Sequence, residues 1–142
     1  MNARMMRDAR LAVRDPAFVA LADETELVSE LVRPHFNDHG EWLTLFCFDG
    51  GGRLVAACEN GGWGRNSAAL TPPMIHGVVA SGHGGSLLIA HNHPSGELQP
   101  SADDIMLTRQ LIDFAKLAGI TVQDHLICTR NGHFSFRAAG LL

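Results

Sequence analysis

The sequence predicts an α/β domain, a mixed sheet with helices on both faces. Three observations carry this. Apolar patterning runs helix, hairpin, helix, strand, helix, hairpin along the chain, and segments ordered this way pack helices onto a sheet. Ser86–Ala90 is a short run rich in Leu and Ile without polar alternation, as expected of a strand covered on both faces. Residues 101–119 then carry a helical apolar period with a start signal and a stop signal.

Taken in order, residues 1–22 read as an N-terminal arm or short helix interrupted at Pro16, and residues 23–142 as the domain proper. Leu27, Val28, Leu31 and Val32 form the apolar stripe of a helix that ends near Pro34. Asn37-Asp38-His39-Gly40 is a turn, and Glu41 stands immediately before the apolar strand Trp42–Phe48. Asp49–Gly52 connects that strand to Arg53–Cys58 as a hairpin. Asn60–Asn66 is Gly-rich but lacks the residue order of a phosphate loop, so it reads as a mobile loop. Its Trp63 is either an anchor on the domain or part of a groove. Thr71-Pro72-Pro73 opens a helix through Met74, Ile75, Val78 and Val79 that stops near Gly82. The strand at residues 86–90 follows. Ser101 then opens a helix with Leu107, Leu111, Phe114, Ala115 and Ala118 on one face, ending at Gly119. Strands at Thr121–Thr129 and His133–Arg137, turning at Asn131-Gly132, complete the sheet.

Composition narrows the class. One domain of 142 residues, 46% hydrophobic and 18% charged, can bury a real core. No apolar run approaches the roughly 20 residues of a membrane span, and no apolar signal-peptide segment is present, so the cytoplasm is expected. Cys47, Cys58 and Cys128 sit in strand-like apolar surroundings without framework spacing and read as reduced core residues. A net charge of −4 argues against direct nucleic-acid binding. Arg4, Arg7, Arg10 and Arg14 would make a basic stripe on a helix, diluted by Asp8 and Asp15 and read as a solvated face.

The chemistry concentrates in residues 86–104, S-L-L-I-A-H-N-H-P-S-G-E-L-Q-P-S-A-D-D. Side chains on a strand share a face at every second residue, so His91 and His93 point the same way. The turn and helix start that follow can return Asp104 over that face. Two imidazoles and one carboxylate with a fourth position open is the layout of a catalytic zinc site. Asp104 also has a structural reading, since Ser101-Ala102-Asp103-Asp104 is a capping-box pattern. The two readings are compatible. His125 beside Asp124 reads either as a hydrogen-bonded support of the site or as a buried structural pair. His35, His39, His76, His83 and His133 have no ligand spacing.

H-N-H-P-S-G followed by P-S-A-D-D resembles the JAMM (MPN-type) metalloprotease motif: His-x-His-Pro, a spacer, then Ser-x-x-Asp. The Asn between the histidines and the Ser-Gly after them are similar to the bacterial RadC branch. With D-H-L-I at 124–127 and the final A-G-L-L, the resemblance runs from about Glu24 to the C-terminus. It implies a three-layer, cytidine-deaminase-like α/β/α fold and Zn2+ held by His91, His93 and Asp104. It further implies Glu41 as general base and Ser101 as hydrogen-bond donor to the oxyanion. The implied activity is hydrolysis of a peptide or isopeptide-linked protein substrate. RadC-like proteins are associated with DNA repair and commonly carry a helix-hairpin-helix segment ahead of this domain, for which residues 1–22 leave no room. The segment 59–73 lacks the Ser-x-Gly-Thr and Pro-Arg-Glu stretches of that branch, a departure that bears on substrate recognition more than on metal.

Two rivals come from the same ligand types. An iron(II) facial triad usually sits on a double-stranded β-helix, where this chain has helices. A (β/α)₈ metallohydrolase needs about 250 residues. A third alternative is a metal-binding interaction module without useful peptidase activity. Oligomeric state, including a homodimer, is open at this level.

Overall fold

The computed structural model describes residues 4–6, 40–61, 76–77 and 85–142. Its elements are β1 (Arg4–Met6), β2 (Trp42–Phe48), β3 (Leu54–Gly61), β4 (Ser86–Asn92), α1 (Ala102–Ala118), β5 (Thr121–Thr129) and β6 (Gly132–Ser135). They build one sheet in the order β1-β3-β2-β4-β5-β6. Only β4 and β5 run parallel, joined by the α1 crossover; the other pairs are antiparallel. This is the expected mixed α/β sheet, with β4 at its centre and buried from Leu87 to Asn92. The expected helices near residues 25–34 and 71–82 lie outside the described residues except His76-Gly77, which are helical. Trp63 and most of the arginine stripe also lie outside them, while Arg4 belongs to a short edge strand. No helix among the described residues is long and apolar enough to cross a membrane.

Local signals explain most boundaries. The β2–β3 turn is closed by Asp49, whose Oδ1 accepts from the Gly51 and Arg53 amides. Ser101 and Asp104 form a reciprocal capping box on α1, and Gly119 ends the helix in the left-handed conformation at φ 73°. At Gly85 a Cβ would fall 1.8 Å from the Phe48 carbonyl oxygen, so a residue without a side chain is needed where β4 enters beside the end of β2.

Three boundaries and one helix face differ from expectation. β3 continues through Asn60 and Gly61, because Trp42 and Leu43 of β2 offer backbone partners to both. β4 extends through His91 and Asn92, which pair with β5. The last hairpin turns at Arg130-Asn131, with Thr129 opposite Gly132, and β6 ends at Ser135. Finally, α1 buries Asp104, Thr108, Leu111 and Ala115, while Phe114 and Ala118 are exposed. That stripe is rotated from the apolar one because two of its four positions are polar.

The core beneath α1 joins Leu43, Leu45 and Cys47 of β2 with Leu87 and Ile89 of β4, Leu111 and Ala115 of the helix, and Ile120 and Val122. Cys47 and Cys128 are buried, as expected of core cysteines. Burial, aided by the Asp49 charge, pushes the Cys47 thiol up to about 11, which leaves it unreactive. One irregularity matters for the site. Leu87 pairs with Val122 but Leu88 pairs with Asp124, so Gln123 is an extra residue in β5. This bulge puts both Val122 and His125 on the α1 face, which strict alternation would forbid.

Candidate metal centre

Three pieces of chain meet at the C-terminal end of β4. His91 is the next-to-last residue of the strand, His93 starts the loop after it, and both lie on the α1 face with Leu43 and Ile89. The loop is anchored by the His93 amide on the Cys128 carbonyl, and it turns by a Gly96 to His93 backbone bond with Gly96 at φ 88°. Asp104 arrives from the first turn of α1. Glu41 arrives through the sheet: Leu43 pairs with His91 in antiparallel register, so two residues earlier Glu41 stands across from His93 on the same face.

The four side chains converge, with one ligand atom from each of Glu41, His91, His93 and Asp104 lying within 4.8 Å of the others. Asp104 spans the histidines, its Oδ1 3.3 Å from His91 Nε2 and its Oδ2 3.3 Å from His93 Nε2. Ligands at 2.0–2.1 Å on the corners of a tetrahedron stand about 3.3–3.4 Å apart, so these spacings suit one small divalent ion. The two Nε2 atoms are closer, at 2.8 Å. Glu41 Oε1 stands further off, 3.7 Å from His91 Nε2 and 3.8 Å from His93 Nε2.

Hydrogen-bond partners orient the ligands. His93 Nδ1 lies 2.6 Å from the Glu97 carbonyl oxygen, which can only accept, so Nδ1 carries a proton. His91 Nδ1 meets His125 Nε2 at 2.7 Å, and His125 Nδ1 meets the Thr108 hydroxyl at 2.6 Å. Asp104 Oδ2 accepts from the Ser101 amide at 2.8 Å while Ser101 Oγ accepts from the Asp104 amide at 3.0 Å. The capping reading of Asp104 is realised, and the same geometry leaves its carboxylate beside both histidines, compatible with the ligand reading. Asn92 brackets Glu41: its Oδ1 accepts from the Trp42 amide and its Nδ2 donates to the Gly40 carbonyl.

Asp124 does not touch the His125 ring. Its carboxylate accepts from the His125 backbone amide, the Ser135 hydroxyl and the Arg137 amide on the other face of the sheet. His125, fully buried and stacked on Phe136 with ring centroids 4.3 Å apart, reaches the site through His91 instead. His76 and His133 stand outside the cluster. Asn92 entered the sequence reading only through the family resemblance, with no structural role attached, and Thr108 not at all, since a Thr in a helix carries no motif.

The cluster places two carboxylates around imidazole nitrogens, and its electrostatics follow. Burial opposes ionisation of Asp104, but hydrogen bonds to His91 and His93 outweigh it and hold the carboxyl well below the usual range. Burial likewise opposes the charge on His93, yet Asp104, with help from the Glu97 carbonyl and Glu41, raises its pKa above the ordinary 6.5. His125 is pushed well below 6.5, first by burial and then by His91. A lowered carboxyl stabilises the fold above its unfolded value near 3.8 and loses that contribution as the pH falls. A raised histidine stabilises fully below 6.5 and loses its contribution as the pH rises through the raised value. His125 acts in the opposite sense to His93, losing its contribution as the pH falls below 6.5. Metal-free protein is therefore expected to lose stability in acid, as Asp104 takes a proton and the unfolded chain protonates His125, and metal-loaded protein to melt higher than it above about pH 6.5. Thermal melts across pH with and without chelator check this; coincident curves would count against the cluster as a cation site.

Comparisons with known proteins give the family. Residues 22–141 match the family described as the RadC-like JAB domain. A UPF0758 protein of Syntrophomonas wolfei is 32% identical over 117 residues, 82% of this chain and 48% of that protein. One from Clostridium perfringens is 34% identical over 102 residues, 72% of this chain and 45% of the relative. One from Alkaliphilus metalliredigens is 37% identical over 89 residues, 62% and 38% respectively. The chain thus spans less than half the length of these relatives.

Proposed function

Because this chain belongs to the RadC-like JAB domain family, we propose that it is a zinc-dependent hydrolase of peptide or isopeptide bonds. The observation that carries the reading is the convergence of two oriented imidazoles on the Asp104 carboxylate, each Nε2 3.3 Å from one of its oxygens. Zinc suits the donor set, since imidazole and carboxylate are its ordinary ligands and the 3.3 Å nitrogen–oxygen separations fit its bond lengths, while the 2.8 Å between the two Nε2 atoms would have to widen on binding. His91, His93 and Asp104 would hold it. When bound, the ion lowers the pKa of a water toward 7 and polarises the scissile carbonyl.

The remaining work falls to the chain. Glu41 stands too far out to complete the same tetrahedron and near enough to exchange a proton with a group at its centre. It is assigned as general base and then as acid toward the leaving amine. Its carboxylate is positioned by β2 and by the two bonds from Asn92 on either side of it. Ser101 uses an oxygen lone pair to cap α1, which leaves its hydroxyl proton to donate to the developing oxyanion. The sheet and α1 would form part of a three-layer, cytidine-deaminase-like arrangement.

The test is metal content. Purified protein is expected to hold about one zinc per chain, and His93→Ala to hold little. Equal zinc in both proteins would remove the assignment. Zinc-loaded protein that cleaves no member of a panel of peptides and isopeptide-linked conjugates would favour a metal-binding interaction module instead.

A further inference from the structure

His91 donates its second ring nitrogen neither to a carboxylate nor to a backbone carbonyl, the usual partners of a metal-ligating histidine. It meets another imidazole. Which of the two donates is decided at the far end of the chain of contacts. The Thr108 hydroxyl has one proton, and it is given to the Asp104 carbonyl oxygen at 2.8 Å, an atom that can only accept. The 2.6 Å contact from Thr108 Oγ1 to His125 Nδ1 must therefore be an N–H donated by the ring to the hydroxyl. His125 is fully buried against Phe136, with no carboxylate bonded to its ring among the described residues, so it is neutral and its Nε2 carries a lone pair. That lone pair accepts from His91 Nδ1–H across 2.7 Å.

We infer that His125 and Thr108 are positioning residues that lock a proton on His91 Nδ1 and so leave Nε2 as the nitrogen facing the cluster, whether it donates to Asp104 in the metal-free chain or holds a metal. The lock closes on itself. It starts at the ring of His91 on β4, passes through β5 and α1, and ends on the backbone of Asp104, whose carboxylate is the other group beside His91 Nε2. One hydroxyl proton thereby ties the orientation of two ligands from separate elements. The bulge at Gln123 is what brings His125 to this face.

The consequence for metal affinity rests on the zinc reading above; the tautomer is a property of the metal-free chain. Thr108→Val keeps the shape of the side chain and removes both hydroxyl roles. His125 would then bury an unpaired Nδ1–H, a cost it escapes by moving the proton to Nε2 and donating to His91. His91 would be forced to carry its proton on Nε2, facing the cluster, and a metal would have to reverse both rings on binding. Thr108→Ser restores the hydroxyl. His125→Gln offers a carbonyl toward His91 and an amide N–H toward Thr108.

The experiment uses the full chain. Long-range proton–nitrogen NMR correlations of the metal-free wild type are expected to show His91 and His125 both protonated on Nδ1. Zinc competition with a chromogenic chelator is expected to show about 10–100-fold weaker binding for Thr108→Val, with Thr108→Ser and His125→Gln close to wild type. A wild-type His91 without a proton on Nδ1 would overturn the lock. So would wild-type affinity in a folded Thr108→Val protein. A wild type that binds no zinc at all removes the functional reading, and the spectrum alone then decides the tautomer. If Thr108→Val fails to fold, the wild-type spectrum together with the Thr108→Ser and His125→Gln affinities decides it, and weak zinc binding by both would overturn the lock.

Discussion

Glu41→Gln is expected to keep the fold and the zinc yet to lower turnover by roughly 10²–10⁴-fold, the usual contribution of a positioned general base. The substitution keeps the shape of the side chain and removes only its capacity to take a proton. Glu41 Oε1 lies 3.7–3.8 Å from the imidazole nitrogens, against 3.3 Å for the Asp104 oxygens, so a base role predicts a large kinetic loss with little change in metal affinity. A ligand role predicts the opposite pattern. Zinc affinity and turnover measured on the same preparation separate the two, and Glu41→Gln turnover equal to wild type on any cleaved substrate refutes both roles in catalysis.

Asp104→Asn is expected to strip the metal with only modest loss of stability, whereas Ser101→Ala should keep the metal and cost about 0.5–2 kcal/mol through the lost cap. The capping box explains the asymmetry. An amide oxygen at residue 104 can still accept from the Ser101 amide, as Asp104 Oδ2 does at 2.8 Å. It cannot supply the negative charge that two imidazoles and a divalent ion require. Ser101→Ala leaves that charge in place but removes the acceptor of the Asp104 amide. Metal analysis beside denaturant melts reads both effects. Asp104→Asn that holds zinc while its stability collapses would make residue 104 a structural cap and nothing more.

Both expectations, like the architecture, divide according to how far apart in the chain their causes lie. Features set within about ten residues were legible in the sequence alone: the capping box, the Gly119 stop, the shared face of His91 and His93, and the return of Asp104 over that face. Each depends on strand alternation or helix-end chemistry, which a short stretch dictates by itself. Glu41 is different. Nothing local ties it to the histidines, and its place was anticipated only through family resemblance; physically it is delivered by the pairing of Leu43 with His91. The support from His125 and Thr108 was less legible still. An extra residue in β5 shifts the alternation so that His125 turns inward and Asp124 outward, and a polar stripe on α1 replaces the expected apolar one. Register and helix rotation are settled by what packs across the sheet, and a linear pattern carries no record of that. So the candidate ligands could be named from the sequence, while the hydrogen-bond partners around them were decided by the tertiary structure.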